Sequence, residues 1–164
     1  MSNGCRVLLT GRQGQLGQAL LALCPPGVEV IATGRKELDL SDPQACPAAV
    51  LQHLPDWVLN AGAYTAVDKA ESEPELAAAI NAGAPEALAE ELTQTGGRLL
   101  QVSTDFVFDG SQGTPYLPEH PLNPLGVYGA TKAEGERRVR AILGAERACL
   151  LRTSWVYGPV GANF

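Results

Sequence analysis

Short apolar runs alternate with helical segments along the whole chain, and this alternation constrains the fold more than any other feature. Five runs have the composition of buried strands, at residues 6–10, 28–32, 57–61, 98–103 and 148–153. Four segments between them are typical of helices, at residues 15–23, 43–54, 75–95 and 128–143. Strands that alternate with helices form a parallel sheet covered on both faces. The pattern predicts an α/β fold with a doubly wound, Rossmann-like parallel sheet.

Helix boundaries can be predicted from a few residues. Pro43 is expected in the first turn of the second helix, with Ser41 or Asp42 as its N-cap. A break is expected inside the third helix, near Gly83 and Pro85.

Length, charge and cysteine usage limit the possible functions. The 164 residues carry 12 Lys and Arg against 18 Asp and Glu, a net charge of −6, and 45% are hydrophobic. This length predicts one domain, and the acidic balance argues against a nucleic-acid partner. The sequence lacks a membrane-spanning run and the features of a signal peptide. Four cysteines without metal or redox spacing predict reduced core thiols, a cytoplasmic location and no bound metal.

The first strand meets the first helix at three glycines with the spacing GxxGxxG. Glycine permits a tight turn, lets the backbone approach a pyrophosphate and allows the helix to pack closely on the strand. The helix N-terminus offers N–H groups to phosphates. Three spaced glycines alone are compatible with a plain turn, but the strand–turn–helix context favours a dinucleotide site. The residues expected to bind the cofactor here are Gly11, Gln13, Gly14, Gln15, Leu16 and Gly17.

The second strand ends without the carboxylate that NAD-preferring sites usually place against the ribose hydroxyls. Gly34 and Arg35 follow it, and Arg35 is suited to a 2′-phosphate through charge-assisted hydrogen bonds. We therefore predict NADPH as the cofactor, with NADH possible. A solvated surface residue is the alternative for Arg35. Asp39 and Leu40 are expected to flank the adenine.

Small residues after the third strand leave room for a cofactor across the sheet edge, although a simple strand-to-helix turn is the alternative. The predicted contacts there and on the fourth strand are Ala61, Gly62, Ala63, Tyr64, Thr65 and Val102.

The chemistry is predicted from a threonine at the end of the fourth strand and a Tyr-x-x-x-Lys motif. Tyr128 and Lys132 are four residues apart on one helix and therefore share a face. A nearby ammonium is expected to lower the pKa of Tyr128 from about 10. The phenol can then donate a proton to a carbonyl oxygen as hydride reaches its carbon. Tyr128 and Lys132 are also predicted to bind the cofactor, Lys132 through the nicotinamide ribose. Thr104 is expected to donate a hydrogen bond to the same carbonyl oxygen.

The sequence resembles the extended short-chain dehydrogenase/reductases, and within them the dTDP-4-dehydrorhamnose reductases, in the runs TGRQGQLGQAL, NAGAYTAVDKAESEPELA, VSTDFVFDG, YGATKAEGE and LRTSWVYG. The resemblance implies reduction of the 4-keto group of a dTDP-sugar substrate, dTDP-4-dehydro-β-L-rhamnose, with NADPH. It also implies roles for particular residues. Tyr128 would be the general acid, Lys132 its electrostatic partner and Thr104 the hydroxyl that orients the ketone. Asp105 and Trp155 would contact the sugar. The alternative role is a loop cap for Asp105 and core packing for Trp155.

Two other functions stay open at this point. A sugar-nucleotide epimerase or other reductase would use the same tyrosine and lysine, with NAD held by an acidic residue after the second strand. A non-catalytic NADP-binding regulatory subunit can share the fold and the glycine turn.

Reductases of the resembled family are almost twice as long. We therefore expect residues 1–164 to be an incomplete NAD(P)-binding domain whose C-terminal substrate-binding part is missing, and the end at Gly161–Phe164 is unlike that of a natural domain. A homodimer is possible in the full-length protein.

Overall fold

The computed structural model describes residues 4–160, and its centre is a five-stranded parallel sheet. The strands are β1 (Cys5–Thr10), β2 (Val28–Ala32), β3 (Trp57–Asn60), β4 (Arg98–Thr104) and β5 (Ala148–Thr153). Their order is β2-β1-β3-β4-β5, with parallel pairing throughout. Each predicted strand agrees with the structure to within one residue at either end. The predicted chain end at Gly161–Phe164 lies outside the described residues.

Six α-helices lie within residues 4–160. They are α1 (Gln15–Ala22), α2 (Ala45–His53), α3 (Val67–Ala70), α4 (Pro74–Ala78), α5 (Ala84–Thr95) and α6 (Val127–Arg147). The chain leaves β1 towards β2 on one side and then returns towards β5 on the other. Right-handed crossovers therefore place α1 on one face of the sheet and α2, α5 and α6 on the other. The predicted doubly wound, Rossmann-like fold is confirmed. In this part of the chain, a helix with the length and apolarity needed to span a membrane is absent.

Two predicted helix details are wrong. The second helix begins at Ala45 instead of Pro43, and the N-cap residue Gln44 receives no side-chain cap. Asp42 instead accepts a hydrogen bond from the Gln44 N–H at 2.9 Å, which stabilises a turn before the helix. The predicted break near Pro85 is also absent, because a π-helical turn, Ala79–Gly83, connects α4 directly to α5. Pro85 is the second residue of α5 and follows the π-helical turn directly, so the helical run continues through a residue that has no N–H.

The core lies between the sheet and the α2–α5–α6 layer. Leu8, Val58 and Leu99 from the strands pack with Leu88 of α5 and Val139 of α6, all fully buried. Each such side chain contributes about 1.5–3 kcal/mol when it leaves water. This packing holds the ends of the central strands in fixed positions.

The prediction of core thiols is wrong for most of the cysteines. All four are free thiols, but only Cys46 is buried, and burial raises its pKa to about 12. Cys5 and Cys149 are exposed and Cys24 is partly buried, since these side chains lie at the sheet surface and at a helix end.

Candidate active site

The candidate site lies along the carboxyl edge of the sheet, where β1 and β3 are neighbours and the strand order reverses. A crevice opens at such a switch point in doubly wound folds. Among the cavities along this edge, two are lined by the residues predicted to bind the cofactor. We name the cavity of about 370 Å³ beside β1 and β2 the β2-side cavity. The cavity of about 820 Å³ beside β3, β4 and β5 is the β4-side cavity.

The glycine turn between β1 and α1 is built for close backbone approach. Gly11 has φ 72°, and a Cβ there would lie 2.8 Å from the Gly62 backbone. A Cβ on Gly17 would collide with the Gly11 carbonyl oxygen, so only glycine lets α1 pack on the turn. Gly14 is the N-cap of α1 and supplies no side-chain cap, and the N-terminus of a helix attracts anions through its backbone dipole. The turn therefore fits a pyrophosphate.

The β2-side cavity is lined by most of the residues predicted to bind the cofactor. Those that line it are Gly11, Gln13, Gly34, Arg35, Asp39, Leu40, Gly62, Ala63, Tyr64 and Thr65. Gly14 and Gly17 line neither cavity and instead shape the turn. The sequence reasoning missed Leu38, Ala66, Lys69 and Ile80, which also line it. The apolar positions among these were indistinguishable from core residues in the sequence.

Charged side chains around the β2-side cavity form exposed ion pairs. Arg35 lines the cavity but is 76% exposed at its side chain, and its Nε lies 3.7 Å from Asp39 Oδ2. Residues 32–36 at the end of β2 contain no carboxylate, and the first one along the chain is Glu37. Glu37 accepts a hydrogen bond from the Gly34 N–H at 2.9 Å, and its other oxygen lies 2.9 Å from Arg12 Nη2. Glu37 was missed because it lies five residues beyond the strand and reaches back through a turn.

The β4-side cavity brings together every residue predicted to carry the chemistry or contact the sugar. Its predicted members are Gln15, Leu16, Ala61, Ala63, Thr65, Val102, Thr104, Asp105, Tyr128, Lys132 and Trp155. Sequence reasoning missed Val67, Ser103, Phe106, Thr153, Ser154 and Val156, which also line this cavity.

Tyr128 faces a threonine and a carboxylate. Burial raises the pKa of Tyr128, and the nearby Asp105 charge raises it further, whereas a hydrogen bond with Thr104 opposes the rise. The expectation that the lysine lowers this pKa is therefore wrong for this arrangement. A phenol with a raised pKa stays protonated at neutral pH and can serve as a proton donor.

Asp105 holds the ends of two strands together. Its Oδ1 accepts a hydrogen bond from Thr104 Oγ1 at 3.1 Å, and its Oδ2 accepts one from Ser154 Oγ at 2.7 Å. Thr104 Oγ1 also accepts the Phe106 N–H at 3.2 Å, which fixes the hydroxyl beside Tyr128. The carboxylate thereby orients the threonine that was predicted to bind a ketone.

Lys132 is 4% exposed, and its Nζ donates a hydrogen bond to the Val102 carbonyl oxygen at 2.6 Å. Burial lowers the pKa of Lys132 to about 8, although the Glu136 carboxylate raises it. The ammonium is thus anchored to β4.

An ion pair fixes α6 against β5. Glu136 is 2% exposed and accepts two hydrogen bonds from the Arg152 guanidinium, at 2.9 Å from Nε and 2.6 Å from Nη2. Arg152 also donates to the Pro118 carbonyl oxygen at 2.9 Å, which ties down the long loop after β4. The helix that carries Tyr128 and Lys132 is therefore held from its buried side.

The π-helical turn connects α6 to the loop after β3. Asn81 in this turn is buried, accepts the Tyr64 N–H at 2.9 Å and donates to the Tyr64 carbonyl oxygen at 3.1 Å. Its amide also donates to Thr131 Oγ1 at 3.2 Å. π-Turns are frequent at functional sites, and this one joins the loop that lines the β2-side cavity to the helix that carries Tyr128 and Lys132.

Trp155 follows β5 with φ 53°, in the left-handed region that bulky residues rarely adopt. It is 75% exposed and lines the β4-side cavity, so it does not pack in the core formed by residues 4–160. Its position at the cavity mouth suits a platform for a ligand.

The fold and this site define the class of protein: a Rossmann-like domain of the extended short-chain dehydrogenase/reductase type. The family model described as the RmlD substrate binding domain matches residues 5–164. The chain belongs to this family, which confirms the resemblance read from the sequence.

Known relatives agree with this assignment. The dTDP-4-dehydrorhamnose reductase of Streptomyces griseus is 48% identical over 97% of this chain and 52% of the relative. The probable dTDP-4,6-dihydroxy-2-methyloxan-3-one 4-ketoreductase of Streptomyces antibioticus is 44% identical over 97% of this chain and 54% of the relative. A crystal structure of dTDP-4-dehydrorhamnose reductase from Bacillus anthracis in complex with NADP has a TM-score of 0.92 at 34% identity, covering 98% of this chain and 57% of that chain. The chain thus spans about half the length of the curated relatives it matches.

Proposed function

We propose that the complete protein uses NADPH to reduce the 4-keto group of dTDP-4-dehydro-β-L-rhamnose, giving dTDP-L-rhamnose. The observation that carries this proposal is the convergence of Thr104, Tyr128 and Lys132 on one cavity beside the glycine turn. This set can hold a ketone and supply its proton. The named relatives supply the sugar-nucleotide class.

When bound, NADPH supplies a hydride to the carbonyl carbon. Tyr128 donates its phenolic proton to the carbonyl oxygen, and its raised pKa keeps that proton in place until the oxygen becomes basic. Thr104 orients the ketone when its hydroxyl proton turns from the Asp105 carboxylate to the carbonyl oxygen. Lys132 stabilises the developing phenolate and holds the ribose. Such electrostatic stabilisation is usually the larger effect, and the proton transfer adds about 100- to 10,000-fold.

The nucleotide end of the cofactor is assigned to the β2-side cavity and the glycine turn. The uncapped N-terminus of α1 binds the pyrophosphate, and Arg35 is the candidate partner of a 2′-phosphate. The exposed Asp39 and Glu37 carboxylates also suit ribose hydroxyls, so the site can accept NADH as well.

The sugar is assigned to the outer part of the β4-side cavity, between Asp105 and Trp155. The chain supplies the cofactor-binding part, and a further part of the complete protein completes the sugar pocket. A cytoplasmic location and a homodimer of the complete protein stay predictions.

A second candidate is the same reaction on a different dTDP-4-keto sugar. It is favoured by the 44% identity to the probable 4-ketoreductase of Streptomyces antibioticus. The catalytic residues would be unchanged, and the substrate would differ only at carbons remote from the reacting carbonyl.

The test is NADPH oxidation by the complete protein with dTDP-4-dehydro-β-L-rhamnose, followed by identification of the product. We expect net oxidation and dTDP-L-rhamnose. Conversion of the substrate to an isomer without net oxidation of NADPH would indicate an epimerase instead. Tight NADPH binding without turnover of any dTDP-4-keto sugar would indicate a regulatory subunit.

A further inference from the structure

Three polar side chains cross the middle of the sheet below the candidate site, where apolar residues are expected. Thr10 on β1, Asn60 on β3 and Gln101 on β4 are all buried. They are register partners on adjacent strands, Thr10 opposite Asn60 and Asn60 opposite Gln101. Buried amides are retained only when they are hydrogen-bonded, so the bonds of this row indicate its role.

The three side chains form one directional chain of hydrogen bonds. Thr10 Oγ1 donates to Asn60 Oδ1 at 2.5 Å, and Asn60 Nδ2 donates to Gln101 Oε1 at 2.7 Å. Gln101 Nε2 then donates to the Val102 carbonyl oxygen at 2.9 Å. The same oxygen accepts the Lys132 ammonium at 2.6 Å. The chain therefore ends on the oxygen that anchors Lys132.

The direction of the chain is fixed from the Val102 end. A carbonyl oxygen can only accept, so Gln101 must turn its NH₂ group towards Val102 and its oxygen towards Asn60. Asn60 must in turn present its NH₂ group to Gln101 and its oxygen to Thr10. No member can flip its amide without breaking two bonds.

The Val102 carbonyl receives this support where one of its two neighbouring strands ends. The pairing of β3 with β4 ends at Asn60 and Gln101, one residue before Val102, whereas β5 pairs with β4 as far as Thr104. On the β3 side, the backbone of β4 therefore has no strand partner at Val102. The Gln101 amide supplies a contact there from within β4.

We propose that Gln101 is a positioning residue for Lys132: it fixes the Val102 carbonyl oxygen that holds the ammonium below Tyr128. The proposal rests on the function proposed above, in which Lys132 acts on the phenol and the ribose. Gln101 itself lines neither cavity at the carboxyl edge. It acts through Val102, and its loss would let the lysine side chain leave the catalytic arrangement.

The test uses Gln101→Met in the complete protein, which keeps the volume and removes the amide. We expect kcat to fall about tenfold, the effect of one lost hydrogen bond on the position of a catalytic group, with KM for the sugar within about twofold. Acylation of Lys132 by acetic anhydride, followed by mass spectrometry, is expected to become about tenfold faster because the amine is released. Gln101→Asn, which is too short to reach both partners, should give the same two changes if the methionine variant does not fold.

The matched control is Leu99→Ala, on the same strand and the same buried face, two residues earlier. It should lower the melting temperature at least as much as Gln101→Met, yet leave kcat and the acylation rate within about twofold of the wild type. Equal changes in the control, or unchanged kcat and acylation in the Gln101 variants, would overturn the proposal. The acylation readout needs no turnover. A wild-type protein without reductase activity would therefore contradict the proposed function. The acylation rates would still decide whether Gln101 positions Lys132.

Discussion

The two cavities at the carboxyl edge of the sheet hold their charged groups in opposite ways. Around the β2-side cavity, Arg35 and Asp39 form a pair that is largely exposed to solvent. Around the β4-side cavity, the buried Lys132 donates a hydrogen bond to the Val102 carbonyl oxygen, and the buried Glu136 forms an ion pair with Arg152. Exposed pairs contribute about 0–1 kcal/mol and can rearrange around a ligand, whereas a buried pair is costly to break. We infer that the side chains expected to bind the nucleotide can rearrange around it. The side chains expected to carry the chemistry are held in place before a ligand binds.

The largest effect is expected at the buried ion pair. Glu136→Ala leaves the Arg152 guanidinium without its partner and should lower the free energy of unfolding by about 3–5 kcal/mol, measured by urea denaturation. Glu134→Ala is the control on the same helix, where the carboxylate is one-third exposed and pairs with Arg137 and Arg138. It should cost about 1 kcal/mol or less. An equal loss of unfolding free energy in the two variants would contradict the contrast between the buried and the exposed ion pairs.

Tyr128→Phe tests the chemical end directly. It should lower turnover by at least about 100-fold, or roughly 2.7 kcal/mol in the barrier, because the proton donor is lost. NADPH affinity, measured by fluorescence titration, should be nearly unchanged because no nucleotide contact is removed. A variant with wild-type turnover would exclude Tyr128 from the mechanism.

The buried lysine sets the expected pH dependence. Its pKa of about 8 lies below the ordinary value, so the ammonium is present below that pH and lost as pH rises through it. The value of kcat/KM should therefore fall about tenfold per pH unit above 8. Lys132→Arg keeps a positive charge throughout this pH range and should therefore abolish the fall in kcat/KM above pH 8. A wild-type profile that is flat to pH 10 would contradict this assignment.

The smallest effect is expected at the exposed end. Arg35→Ala should weaken NADPH binding about fivefold, or about 1 kcal/mol, and leave NADH binding unchanged, because the guanidinium is mostly solvated. The control is Lys36→Ala, which removes the neighbouring exposed cation and should change neither affinity. Parallel titrations with NADPH and NADH measure the ratio of the two affinities in each variant. Equal weakening of both would show that Arg35 does not read the 2′-phosphate.

The fold could be predicted because each buried parallel strand is a short apolar run in the sequence. Tertiary contacts do not change whether such a run forms a strand. The start of α2 could not, since Asp42 stabilises a preceding turn that looks like a helix cap in the sequence. The direct connection of α4 to α5 could not be predicted from the sequence either. A π-turn needs an extra residue per turn, and the same residues at Gly83 and Pro85 are typical of a helix break.

The candidate site was predictable where spacing along one element determines geometry, as for Tyr128 and Lys132 on α6. It was not predictable where groups meet across elements. The raised pKa of Tyr128 depends on burial and on Asp105, which belongs to the turn after β4. Glu37 reaches Gly34 only through a turn. Such contacts follow from packing, which a single sequence does not encode as a local pattern.

The most direct test of the reductase account follows a deuterium label from the cofactor into the sugar. The complete protein is incubated with NADPH that carries deuterium in place of both hydrogens at C4 of the nicotinamide, together with dTDP-4-dehydro-β-L-rhamnose, and the product is examined by mass spectrometry and NMR. The account predicts one deuterium at C4 of the product sugar for each cofactor oxidised, and almost no product from Tyr128→Phe in the same time. A product without deuterium at C4, or equal product from the variant, would contradict it.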